Sequence, residues 1–323
     1  MRARLPGPAF PPRTGEDGFV LISVIAVVLV FAIVSGGIAA RSRLQVLAET
    51  NRVNTIRFAA EIDGVTRLLA WQAVGSKGQN ADGRLVRCRV GMTDLAIRMT
   101  DQDGLLDLNG APPAMLTDVL TAIGIDEDIA KQVANEIVDY RSPPNAAGGP
   151  MSAATDADYQ QAGLSWGPRR NFFADAQEFA QVPTIATHPD LGKKLLPILT
   201  VYNGRAAIDP SVLARAAPEL MAAASAKTGL LTKWAAPSRH GRFVIEIAAR
   251  DPSIGTSFVR QAAVQIGRDG GPEFLKWARL APGEGSEDVF AARETPDDPS
   301  PVCGLAATAL GRGRSSDYPN ISG

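Results

Sequence analysis

Cysteine and histidine are nearly missing from this chain: Cys88, Cys303, His188 and His240 are all there are among 323 residues. Tetrahedral Cys/His zinc sites of the usual ligand spacing are therefore excluded, and any metal would need oxygen ligands. An excess of either charge is missing too, with 33 basic against 34 acidic residues and a net charge of -1. That balance leaves no electrostatic footprint for nucleic acid or for an acidic membrane surface. Two cysteines so far apart admit a disulfide in an exported domain, but sequence separation does not report spatial distance; two unrelated free thiols is the simpler expectation. Neither histidine sits in a motif that recommends it as a base, and both are expected on the surface or in loops.

Charge is absent altogether from Phe19 to Ala40, and proline is absent from Phe19 to Val74. A run of this length meets the roughly 20 apolar residues that a bilayer requires of one helix, whereas a soluble core helix is seldom apolar on every face. Three readings fit the residues themselves. A secretory signal would be removed near Ala39 or Ala40, although the run exceeds the usual length of such a signal's apolar region. A signal anchor would be oriented by its flanking cations, but Arg2, Arg4 and Arg13 precede the run while Arg41, Arg43, Arg52 and Arg57 follow it. The third is a leader ending at Gly18, cut before Phe19, with the helix retained. Beyond the apolar run, Phe58, Ile62, Val65 and Leu69 continue one stripe at helical spacing, predicting a helix on the order of 80 Å long at 1.5 Å per residue.

Downstream, Leu85 to Val90, Leu95 to Met99 and Leu105 to Leu108 read as three strands of a meander. Pro112 and Pro113 suit a helix start, with Leu116, Val119, Leu120 and Ile123 as its buried face. A second helix opens at Asp126 as N-cap, with Ile129, Ala130, Val133, Ala134 and Ile137 as its core stripe. The two form a hairpin turning at Gly124 that is similar to helix-hairpin-helix modules. A membrane-anchored DNA-uptake protein is therefore the alternative reading. Asp118, Asp126, Glu127, Asp128, Glu136 and Asp139 oppose it, because phosphates require cations. Arg242 to Ala248, Ser257 to Ile266 and Glu273 to Leu280 alternate as strands. From Ala281 onward proline, glycine, serine and acidic residues dominate, and 282–323 is expected to be disordered.

Two apparent chemistries are set aside. Gly163-Leu164-Ser165-Trp166-Gly167 matches the G-x-S-x-G nucleophile elbow, but that motif needs a strand before it and a helix after it, and neither is predicted. Asp101, Asp103 and Asp107 resemble part of a calcium loop, yet Pro112 stands where the ligating glutamate belongs; a turn between strands is expected instead.

A polar, mainly basic leader ending in Gly18, then Phe19, then an apolar helix resembles the signal of type IV pilins and pseudopilins. Most such proteins carry glutamate at the fifth mature position, where this chain has Ser23. The K-type minor pseudopilins of type II secretion systems (the general secretion pathway protein K family) lack it. Further likeness to that family lies in the Asp101 to Asn109 segment, in Ala134 to Arg141, in Tyr159, in Arg170-Asn171, in Asp175 to Val182 and in Leu196 to Tyr202, in the family's order. Asp175 and Glu178 also have capping-box spacing.

The resemblance implies an α+β fold: a pilin-like long N-terminal helix packed on an antiparallel sheet, with a large all-α, helix-hairpin-helix-like insertion. It divides the chain into a cleaved leader (1–18), the transmembrane (19–40) and periplasmic (41–74) halves of the helix, a sheet domain (84–110 and 206–281), an inserted helical domain (111–205) and a tail (282–323). It also implies a non-enzymatic protein of the bacterial inner membrane, single-pass and mostly periplasmic, whose N-terminus is processed at Gly18 and Phe19 by a prepilin peptidase and methylated. Its partners would be the other minor pseudopilins of a pseudopilus tip complex and the inner-membrane secretion platform, with no nucleic acid. No cofactor is implied except calcium, which family members bind after the helix ending in Asp, an aromatic and Arg. Here Ser142-Pro143-Pro144-Asn145 occupies that place, leaving Asp139, Asp156 and Asp158 as the candidate ligands.

Overall fold

The computed structural model describes residues 17–143, 156–223, 228–280 and 301–314. Helix α1 runs Asp17–Gly75, and its stretch from Leu21 onward is long and apolar enough to cross a membrane. Residues up to Arg57 form one compact unit and those from Phe58 onward a second. In the first, Leu21, Ile25, Val28, Phe31 and their neighbours expose apolar side chains around the helix. In the second, the expected stripe is buried: Phe58, Ile62, Val65 and Leu69 pack with Phe243, Ile245, Ile247 and Phe258 of a sheet.

That sheet contains β1 (Asp82–Val90), β2 (Thr93–Asp101) and three later strands. The chain leaves it at Asp101, where the Asp101 carboxylate accepts the Asp103 N–H at 3.0 Å and bends the backbone away. Leu105 to Leu108 therefore does not extend the meander. Its centre, β3 (Leu106–Asp107), pairs in parallel with a later short strand, and both its residues are completely buried. A third meander strand would face solvent on one side, whereas this one lies inside a second core.

The helical hairpin follows as α2 (Pro113–Ala122) and α3 (Glu127–Arg141). Gly124 turns between them at φ +93°, a left-handed conformation that glycine adopts without steric cost. Asp126 caps α3 by accepting the Asp128 N–H at 3.0 Å, as predicted. Then come α4 (Asp156–Gln161), a 3₁₀ turn (Ala176–Gln181), α5 (Pro183–Thr187), α6 (Pro189–Leu195) and β4 (Leu199–Thr200), the partner of β3. After these, α7 (Pro210–Ala216), α8 (Pro218–Ala223) and α9 (Thr228–Thr232) still belong to the insertion, because Ile208, Val212, Leu213, Leu220 and Leu231 share one core with Leu106, Leu116, Val133 and Ile198. The expected division at 111–205 and 206–281 is thus too short at both ends. What sets the boundary is the point where β2 regains an antiparallel neighbour.

That neighbour is β5 (Arg242–Asp251), followed by β6 (Thr256–Ile266) and β7 (Pro272–Leu280), close to the predicted strands. Strand order is β1-β2-β5-β6-β7, antiparallel throughout, with Asp101 opposite Phe243. The Gln102 N–H also donates to the Arg242 carbonyl at 2.9 Å. The insertion thus leaves and re-enters through two adjacent strands, as one very long hairpin loop.

The tail departs from expectation. Pro301–Arg314 forms a helix, α10, that buries Val302, Ala306 and Leu310 at four-residue spacing in the sheet core. It lies along β1 and is tied there by a Cys88–Cys303 disulfide with Cα atoms 5.6 Å apart. The cysteines are therefore not free thiols, and the apolar period of this helix outweighs the polar composition around it. The rest of the tail lies outside the described residues.

Candidate functional site

Gly18 and Phe19 occupy the first turn of α1, and Ser23 lies further along the same helix. The preceding leader lies outside the described residues, except for Asp17, which opens the helix, and Gly18. No other predicted site residue belongs to this unit.

A second constellation joins the sheet to its insertion, around the segment singled out by the resemblance. Asp101, Asp103 and Asp107 are almost fully buried, yet each is satisfied, as burial of a charge requires. The Asp107 carboxylate accepts the backbone N–H groups of Asn109 (2.6 Å), Gly110 (2.7 Å) and Gly204 (2.6 Å). Asp103 accepts from the Gly241 N–H at 2.8 Å and pairs with the Arg242 guanidinium at 3.2 Å. Asp101 Oδ2 receives the Ser238 hydroxyl and meets His240 Nδ1, both at 2.6 Å. The acidic triplet thus straps together the chain's exit at 101–110 and its return at 203–242.

Neighbouring side chains finish the junction. The Asn109 amide exchanges two hydrogen bonds with the Phe173 backbone, at 3.0 and 2.8 Å. Arg141, at the end of α3, donates to the Leu108 carbonyl and, at 2.6 Å, to that of Ala111. Burial pushes its guanidinium below the ordinary arginine value, and the Asp107 charge acts in the opposite sense. The Asn203 amide reaches the Leu105 carbonyl at 2.9 Å, and Arg242 donates to the Asn203 carbonyl at 2.9 Å. A separate bridge from the sheet's other face joins Lys276 of β7 to Asp175. The intervening cleft, of about 350 Å³, is lined by Arg98, Glu246, Gln261 and Tyr202; burial, with Asp175 nearby, pushes the Tyr202 hydroxyl up to about 12.

Sequence reasoning placed Asp101, Asp103 and Asp107 in a turn, but missed Ser238, His240 and Arg242 as side-chain partners of Asp101 and Asp103, and the Gly204 N–H as a partner of Asp107. These lie roughly a hundred residues or more downstream, and no local pattern marks them. His240 does have one signal, a backbone at φ +52°, which becomes visible only in three dimensions.

Among the described residues no group of three or more Asp, Glu, His or Cys side chains is placed to hold a metal ion. Asp139 is buried in α3; Asp156 and Asp158 belong to α4, and their side chains lie outside the described set. Next to Asp139, Tyr159 is buried, and its hydroxyl is raised above the usual tyrosine range by burial and by the charges of Glu136 and Asp139. Ser165 of the G-x-S-x-G match stands in a bend after α4 rather than on a strand-to-helix elbow. The capping-box pair is half realised. Asp175 caps the 3₁₀ turn through the Gln177 N–H at 3.0 Å, while Glu178 accepts from the Ala174 N–H and pairs with Arg169. In the helical hairpin, Asp118 is held by Lys233 and Trp234.

No protein-family model matches the sequence, and no curated protein does. Among solved structures, the fold matches a chain of the GspK-GspI-GspJ complex of the type 2 secretion system from enterotoxigenic Escherichia coli, with a TM-score of 0.52 at 10% identity. The match covers 72% of this chain and 99% of that one. The architecture is accordingly pseudopilin-like: a long N-terminal helix, an antiparallel five-stranded sheet and further helices.

Proposed function

We propose that this chain is a minor pseudopilin of a type II secretion system, of the K type, and acts in filament assembly rather than catalysis. The observation that carries the reading is the joining of an apolar, membrane-length helix to a pseudopilin-like sheet interrupted between neighbouring strands β2 and β5 by a helical domain with its own core. On this reading a prepilin peptidase cuts between Gly18 and Phe19, Phe19 becomes the methylated first residue, and the helix stays in the inner membrane with the bulk of the chain in the periplasm. Ser23 replaces a membrane glutamate that would otherwise need a partner to offset the cost of burying its charge in lipid. A subunit lacking that charge needs no neighbour above it, and the bulk of the insertion obstructs one; both favour the tip of the pseudopilus. Partners would then be the other minor pseudopilins and the inner-membrane platform, met partly through helix packing in the membrane.

Two measurements test this. N-terminal sequencing of the membrane-extracted protein should begin at Phe19; a start near Arg41 would mean an ordinary secreted protein and would sink the proposal. Replacing residues 103–241 by Asn-Gly between Gln102 and Arg242, which already face each other across the ladder, should close β2 and β5 as a two-residue hairpin. Membrane insertion should survive while co-purification of the tip complex and secretion are lost; normal filaments from this variant would refute the tip role.

A further inference from the structure

The two edges of the sheet differ. Beside β1 lies α10, covalently held through Cys88–Cys303. Among the described residues nothing pairs with the outer edge of β7, which leaves a row of backbone N–H and C=O groups able to template another strand. A bulge between Ala263 and Val264 of β6 against β7 leaves Leu275 unpaired, and it is 42% exposed.

Beside this edge the helix-facing side of β7 carries charge of one sign. Arg279 stands directly opposite Arg260 in the ladder, a like-charge cross-strand pair that is unfavourable by itself. Arg260 is neutralised by Asp63 of α1 at 2.6 Å. Arg279 stacks on Phe258 at 4.8 Å and Arg67 of α1 on Trp277 at 5.4 Å; neither forms an ion pair among the described residues. Other carboxylates nearby are engaged: Asp269 with the Gly271 N–H, and Glu273 with Gln265 across the ladder. Trp71, 60% exposed one helical turn beyond Arg67, and Phe274, packed edge-on against Trp277 at 4.9 Å, extend the strip with apolar surface.

We infer that the outer edge of β7, with the Arg67 and Arg279 strip beside it, receives an extended strand bearing carboxylates from another pilin-like subunit. Its backbone continues the ladder, and its carboxylates, on alternate residues, supply the counter-charge that Arg279 and Arg67 lack. A second copy of this chain offers no matching strand in β1, which has α10 alongside and whose Arg84 and Arg89 are already paired with Asp82 and Asp94. The strand-binding surface stands on this chain's own residues; only the identity of the donor rests on the function proposed above.

The test uses the full chain in detergent micelles and a fluorescein-labelled peptide of alternating valine and glutamate, with a lysine-for-glutamate twin and a twin carrying central prolines. The glutamate peptide should bind by anisotropy and slow amide exchange along 272–280, while the lysine and proline twins should not bind. Arg67→Glu with Arg279→Glu, both at exposed positions, should weaken binding roughly tenfold or more, as should raising salt from about 0.05 to about 0.5 M. Failure of the glutamate peptide to bind, equal binding of the lysine twin, or binding that leaves exchange along 272–280 unchanged overturns the inference. So does self-association that the double variant abolishes, which would assign the edge to a second copy. A start other than Phe19 would instead remove the pseudopilin reading and leave the peptide result standing.

Discussion

Removing the Asp107 carboxylate should undo the junction between sheet and insertion. Asp107 is completely buried and accepts three backbone N–H groups from two segments, two near its own position and one at Gly204. Hydrogen bonds to a charged group are worth about 1.5–3 kcal/mol each, but the three share one pair of oxygens and are not additive. A better guide is the cost of leaving buried donors without an acceptor, about 1–3 kcal/mol for each N–H, reduced where the loop relaxes toward water. Asp107→Ala should therefore destabilise the unit from Phe58 onward by about 4 kcal/mol, or roughly 10–15 °C in Tm for a unit of this size. Asp107→Asn keeps one acceptor oxygen but turns an amide N–H₂ toward one side of the ring of donors, and should cost about half as much. Thermal melts by circular dichroism give the first number, and amide exchange at Leu106 and Leu199 should show the loss concentrated in the β3–β4 pair. A change below about 1 kcal/mol for the alanine variant would refute the assignment of Asp107 as the strap.

Two further outcomes follow from the same structure. In Cys303→Ser, α10 should lose its exchange protection and become open to proteolysis while the sheet persists. The disulfide closes a loop with a sequence separation of 215, for which chain entropy alone gives about 5 kcal/mol; unchanged protection of 301–314 would contradict this. Burial raises the Asp118 carboxyl, but hydrogen bonds from Trp234 Nε1 at 2.8 Å and Lys233 Nζ at 2.9 Å outweigh it and leave the value lowered. Its stabilising contribution is thus complete above the ordinary carboxylate value and disappears as pH falls through the lowered one. Asp118→Asn should flatten the acid limb of a stability profile measured between about pH 5 and about pH 2; an unaltered limb would sink the idea.

Much of the architecture was legible because it is periodic. The stripe from Phe58 to Leu69, the alternation in β5 and β6 and the cap at Asp126 each lie within one element, where spacing alone decides which side chain meets the core. Leu105 to Leu108 has a strand's composition and became a strand, but its partner is Leu199 and Thr200, nearly a hundred residues on. Composition cannot choose between that parallel partner and the preceding strand. The tail helix is hidden in the sequence for a related reason: Val302, Ala306 and Leu310 form a short stripe whose value depends on β1 lying next to it.

By itself the sequence determined the apolar helix after Gly18, the helical hairpin and the alternating strands, because each depends on neighbours within a few turns or residues. Tertiary structure alone decided that Cys88 meets Cys303, that Asp101, Asp103 and Asp107 find donors at Ser238, Gly241 and Gly204, and that among the described residues β7 ends the sheet with Arg279 opposite Arg260. The reason is physical: a pairing between distant segments is selected by the burial and the charge satisfaction of the whole fold, and that selection leaves no periodic trace in either segment.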